Sequence, residues 1–176
     1  MILLIDKTIV SQKLQVAIGY DTLEFNTFIN EAQEFDLKPL VREEFYMDLL
    51  NSEDQPVWKL LIDGGSYQYK DRTYYFQGIS TVLAYYAYAR FVMNSGAVST
   101  SHGMVIKTNP NSQPLSLEER KNFYYKKRAE AGNLFNDIKK FIERKYQDYP
   151  SFFEDIHNRH HEDHKRKSGF STRIIQ

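Results

Sequence analysis

Between Gln77 and Asn94 the chain reads QGISTVLAYYAYARFVMN, and a helix drawn through it has no polar face. Ile79, Val82, Leu83, Tyr85, Tyr86, Tyr88, Phe91 and Val92 surround the axis, and Ala84, Ala87 and Ala89 let neighbouring helices approach closely. A helix apolar all round must be enclosed, by its own domain or by partners. This segment therefore constrains the fold more than any other: the chain is expected to be mainly α, a helical bundle built around it.

The neighbours are legible from their caps and stripes. Asp21 caps a first helix and Glu24 stands three residues on, the spacing of a capping box, with Tyr20 and Phe25 at staple positions. Phe25, Phe28, Ile29, Ala32 and Phe35 form one helical stripe. Asp36-Leu37-Lys38 breaks it, and Pro39 suits the first turn of a second helix, from which Leu40, Val41, Phe45 and Leu49 face inward. A third helix is expected from about Pro56 to Ile62, stopped by Asp63-Gly64-Gly65. Residues 66–76 read as a tight hairpin or irregular turn. A long last helix starts at Ser116, with Glu119 completing a second capping box, and runs to about Tyr146. Its buried stripe is Tyr124, Arg128, Ala131, Leu134, Phe135, Ile138, Phe141 and Ile142. Its outer face is basic, with Lys121, Lys126, Lys127, Lys139, Lys140, Arg144 and Lys145.

Three stretches fit less readily into a bundle. Residues 1–20 read as an N-terminal arm: Ile2–Ile5 and Thr8–Val10 are β-prone, and such a segment often pairs with a sheet edge. Residues 95–115 are a long polar connection, and connections of that length are usually functional or disordered. Ala97–Thr100 and Met104–Lys107 are expected to pair across Ser101-His102-Gly103 as a projecting hairpin. Residues 151–176 carry little core-forming character after Phe153 and Ile156 and read as an extended C-terminal arm. The organisation is thus an arm at 1–20, a helical domain at 21–150 and a second arm at 151–176.

The 176 residues can bury a core without staples, and none of them is cysteine. That excludes a disulfide framework, Cys-based zinc sites and thiol nucleophiles. Met1–Asp6 lacks the basic n-region of a signal peptide, and no apolar run approaches membrane-spanning length, so no membrane partner is expected. The net charge is zero but unevenly spread. Eleven acids face three bases from Asp21 to Asp63, whereas eighteen bases face eleven acids from Gly64 to Gln176, about −8 against +7. The halves either neutralise each other within one domain or join identical subunits head to tail; the first is the simpler reading. Thirteen Tyr and twelve Phe suit subunit interfaces as well as a core.

Four of the five histidines fall in His157-Asn158-Arg159-His160-His161-Glu162-Asp163-His164. On a helix, His157 and His161 lie one turn apart, as do His160 and His164, and either pair suits zinc or nickel. A solvated polar tail explains the same residues. The Glu after His161 does not complete H-E-x-x-H, because His164 comes one residue early. No phosphate-binding glycine loop and no Gly-x-Ser-x-Gly elbow occurs, so no catalytic residue and no cofactor is assigned. Lys121, Lys126, Lys127, Lys139 and Lys140 are the positions expected to face DNA if the protein meets it, although zero net charge argues against a dedicated binder. A metal-binding protein or enzyme using the histidines, and a small DNA-associated accessory factor, are the rivals to a structural role.

The order of elements resembles a known group. Ala84-Tyr85-Tyr86-Ala87-Tyr88-Ala89-Arg90, then Gly103-Met104-Val105, then Lys107-Thr108-Asn109 before the long helix are similar to the small helical head–tail connector, ring or adaptor proteins of tailed bacteriophages. The likeness is strongest to those of crAss-like and Bacteroidetes phages, and it covers roughly residues 10–150 as a pattern. The resemblance implies a structural virion protein, not an enzyme. Such a protein forms a ring, usually of twelve subunits, at the head–tail interface, is assembled in the bacterial host cytoplasm, and extends the DNA channel between the portal and the next neck or tail protein. It further implies subunit contacts in the 95–115 loop and the C-terminal arm, for which Met104, Val105, Ile106, Lys107, Phe152, Phe153, Phe170, Ile174 and Ile175 are the candidates.

Overall fold

A computed structural model of the chain describes residues 2–52, 54–101, 103–106 and 113–153. It is mainly helical. In chain order the helices are α1 (Lys7–Lys13), α2 (Thr22–Ala32), α3 (Lys38–Val41), α4 (Glu43–Asn51), α5 (Pro56–Asp63), α6 (Gly78–Asn94) and α7 (Leu117–Arg144). Two antiparallel hairpins interrupt them, β1–β2 (Gly65–Tyr69 with Arg72–Phe76) and β3–β4 (Ala97–Thr100 with Gly103–Ile106).

The apolar helix is central, as its composition requires. α6 packs along α7 and also touches α1, α2 and α5, and ten of its seventeen residues are buried. No side is left to be covered by a partner over most of its length. Phe25, Phe28 and Ile29 from α2, Phe45 and Leu49 from α4, and Phe135, Ile138, Phe141 and Ile142 from α7 share the core with it.

The N-terminal stretch departs from the β-prone reading. Thr8–Val10 are helical, and Leu4, Ile5, Val10 and Val16 are core residues. Two local facts override the β-branched composition. Asp6 caps α1 by accepting from the Ile9 amide at 2.9 Å, and burying Val10 rewards the helical turn. The extended residues before α1 pair with one side chain in place of a sheet edge. The buried Gln33 accepts from the Leu4 amide at 3.0 Å and donates to the Ile2 carbonyl at 2.9 Å, so its amide stands in for a strand neighbour.

The first stripe is also corrected at its end. Phe25, Phe28, Ile29 and Ala32 are buried, but Phe35 is exposed. Residues Gln33–Leu37 form a π-helical turn, whose wider winding carries Phe35 outward and turns Asp36 and Leu37 inward. Asp36 is thereby set between two cations. The Arg90 Nε donates to one carboxylate oxygen at 2.7 Å, and the Arg128 Nη1 donates to the other. Arg90 also reaches Glu31 at 3.2 Å. Burial pulls both guanidinium pKa values down, but the Asp36 hydrogen bonds and charge outweigh it and raise them. The acidic and basic parts of the sequence thus meet within one domain at this point.

Arg42, at φ 67°, separates α3 from α4, so the expected second helix is two. At the third helix end, Gly64 (φ 82°) and Gly78 (φ 75°) lie backbone against backbone. A Cβ on Gly78 would come within 2.3 Å of the Gly64 nitrogen, so the β1–β2 hairpin leaves and re-enters the bundle through a crossing only glycine permits. Lys70 and Asp71, both at positive φ, make its two-residue turn. Arg144 ties the hairpin to the end of α7: it donates to the Tyr67 hydroxyl at 2.7 Å and stands 4.1 Å from the Tyr74 ring centroid.

Candidate assembly surface

The end of the bundle where α6 finishes and α7 begins is built by caps. The Ser116 hydroxyl accepts from the Glu119 amide at 3.2 Å, and the Glu119 carboxylate accepts from the Ser116 amide at 2.9 Å. The Ser116 hydroxyl also donates to that carboxylate at 2.8 Å, and this bond first, then the one from the Ser116 amide, holds the Glu119 carboxyl below the usual range. One turn in, the Arg120 Nη1 donates to the Met93 carbonyl at 3.2 Å, which satisfies an open acceptor at the end of α6. At α2 the reciprocal half of the expected box is replaced. Asp21 accepts from the Glu24 amide at 2.8 Å, but the Glu24 side chain takes the Tyr20 hydroxyl at 2.5 Å. The Tyr20 ring then seats edge-on against Phe91 at 4.9 Å, bringing the turn before α2 to the same end.

Several large apolar side chains are exposed in this part of the chain, on more than one side of α7, since Phe123 and Tyr125 are two residues apart and point about 200° from each other round the helix. Leu115, Leu117, Phe123 and Tyr125 line the approach to α7 and its first turns, and Ile18 and Leu23 flank Tyr20; Ile18 is 97% exposed. Beside them lies a cleft of about 320 Å³, walled by Tyr88, Phe91 and Val92 of α6 and by Pro114, Leu115 and Arg120. The β3–β4 hairpin springs from this end three residues after α6, and its strands make their principal contacts with each other. Ala97 pairs with Ile106 and Thr100 with Gly103, which leaves a two-residue connection and places Gly103 in the strand, not in the turn. Val105 is exposed.

The other expected contact residues separate into three groups. Phe152 and Phe153 are half-buried and pack against the core, Phe152 on Phe45 at 5.1 Å, so they close the bundle instead of standing free. Met104 and Ile106 are placed as β4 positions. Lys107, Phe170, Ile174, Ile175 and the histidines His157, His160, His161 and His164 lie outside the described residues. The lysines also differ among themselves. Lys127 lies over the Tyr85 ring at 5.0 Å and pairs with Glu130 at 2.8 Å; Lys139 lies over Phe135; Lys140 pairs with Asp137 at 2.9 Å. Among the described residues, Lys121 and Lys126 are exposed and form no ion pair.

Sequence reasoning found the hairpin and the start of α7 but missed Ile18 and Leu23, because which end a turn reaches depends on the Tyr20–Phe91 contact. Among the described residues no three His, Asp or Glu side chains converge as metal ligands, and no helix is long and apolar enough to cross a membrane.

A family of unknown function, DUF6712, matches residues 37–162, more than half of the chain, and the chain belongs to that family. No curated protein and no solved structure matches it.

Proposed function

We propose that this DUF6712 member is a structural assembly protein that forms an oligomeric ring of twelve subunits at the head–tail junction of a tailed bacteriophage. The observation that carries the assembly role is the number of large apolar side chains left exposed on Ile18, Leu23, Leu115, Leu117, Phe123 and Tyr125, with an open cleft walled in part by Leu115 and a hairpin that starts three residues after α6. Burying those side chains removes apolar surface from water at roughly 25 cal/mol per Å², and a hairpin whose main partner is itself is well suited to lie on a neighbour.

The phage setting rests on the resemblance carried by Ala84–Arg90, Gly103–Val105 and the order of elements around them. In that setting the partners are other copies of the chain, the portal, and the next neck or tail protein, with non-specific contact to genomic DNA in the channel. The test is co-expression with the portal protein encoded in the same genome, followed by affinity purification and electron microscopy. A ring attached to the portal is the expected result; a chain that never associates with the portal overturns the neck assignment.

A further inference from the structure

A second unmatched surface lies on α4. Glu44, Met47, Asp48 and Asn51 follow the i, i+3, i+4, i+7 spacing, so they share one face, and all four are exposed. Met47 is a large apolar side chain left 47% exposed between two acids. Neither Glu44 nor Asp48 forms an ion pair among the described residues; the acids that do, Glu31, Glu34, Asp36, Glu43, Asp63, Glu130 and Asp137, lie off this stripe. The first turns of α7 carry the inverse pattern. Lys121 and Tyr125, four residues apart, share a face with Glu118 before them, and Lys126 flanks that face one position on; all are exposed, and neither lysine forms an ion pair among the described residues.

The two stripes stand apart. Phe45 anchors α4 on Tyr149, whose ring lies 5.8 Å from Phe141 near the C-terminal end of α7. Phe141 is sixteen residues beyond Tyr125, about 24 Å along the helix at 1.5 Å per residue. Complementary patches held at that separation by one rigid helix are placed to meet between copies. Two different patches of one chain joined in this way make a heterologous, head-to-tail contact, the kind that generates rings.

We propose that the Glu44–Met47–Asp48 stripe of α4 receives the Lys121–Tyr125–Lys126 stripe of a second copy of this chain. The inference rests on the assembly reading and adds to it the faces that meet. Charge complementarity fixes orientation and suppresses wrong pairings, while Met47 and Tyr125 supply the desolvated centre that aromatic residues and Met commonly form at interfaces. The zero net charge of the chain leaves copies without long-range repulsion. Exposed ion pairs of this kind are screened within a Debye length, so association weakens with salt.

The experiment uses the full chain and three charge-swapped variants: Glu44→Lys with Asp48→Lys, Lys121→Glu with Lys126→Glu, and all four together. Sedimentation velocity reads association at low and high salt, and circular dichroism checks that the fold is kept. Each two-site variant is expected to associate at least about tenfold more weakly, because like charges then face each other, and the four-site variant is expected to recover. Two-site variants that associate like the wild type overturn the proposal. So does a folded four-site variant that stays monomeric, or a wild-type chain that is monomeric throughout. Portal binding by the wild type is scored in parallel. A chain monomeric alone that still joins the portal removes this contact and leaves the neck assignment standing; a chain that assembles through these stripes but ignores the portal does the reverse.

Discussion

Replacing Asp36 by Asn tests the account of how α2, α6 and α7 are locked together. The Asp36 side chain is 2% exposed, and it is the shared partner of Arg90 and Arg128, whose side chains are 17% and 32% exposed. Removing one member of a buried ion pair costs about 3–5 kcal/mol, because the remaining charge is left uncompensated. Two features place this case at the low end. Arg90 keeps Glu31 at 3.2 Å, and Arg128 is exposed enough to recruit water. The expected loss is therefore about 3 kcal/mol, which lowers the melting temperature by roughly 6–12 °C for a domain of this size. Arg128→Met should cost less, about 1–2 kcal/mol, since Asp36 retains Arg90 at 2.7 Å. Urea unfolding followed by circular dichroism measures both, and an unchanged m-value shows that the difference lies in stability. Asp36→Asn within 1 kcal/mol of the wild type, or Arg128→Met more damaging than Asp36→Asn, would refute the reasoning.

Other outcomes follow from particular contacts. Gly78→Ala must place a Cβ 2.3 Å from the Gly64 nitrogen at a φ of 75°, and should lose at least about 2 kcal/mol by thermal or urea unfolding. Tyr46 is buried and donates to Glu34 at 2.8 Å; burial first, then that bond, pushes its hydroxyl up to about 12. The folded state therefore holds this proton more tightly. Its contribution is complete below pH 10 and is lost as the pH rises through about 12, and the absorbance titration of Tyr46→Phe should lose one late-titrating phenol. Leu117→Lys with Phe123→Asp should change stability by no more than about 0.5 kcal/mol, since both side chains are exposed, while association falls sharply by sedimentation. A pair that associates normally would remove this end of the molecule from the assembly surface.

Much of the bundle is dictated locally, and the sequence alone determines it. Ser116 and Glu119 start α7 through bonds between residues three apart, and the all-round apolarity of residues 77–94 requires that helix to be enclosed, which the packing of α1, α2, α5 and α7 then does within the domain. The β1–β2 hairpin and most of the α7 stripe follow from the same short-range chemistry. The features that only the tertiary structure decides are those in which distant groups compete for one backbone. Thr8–Val10 are helical although β-branched because α6 offers Val10 a buried place. The stripe that begins at Phe25 loses Phe35 to solvent because Asp36 is drawn in, by way of a π turn, to cations 54 and 92 residues away. The same long-range pairing absorbs part of the opposite charge of the two halves inside one chain and leaves the α4 and α7 stripes unmatched. A local pattern records which face of a helix is apolar; it cannot record which of several charged partners will reach a given side chain, because that depends on where the other helices come to rest.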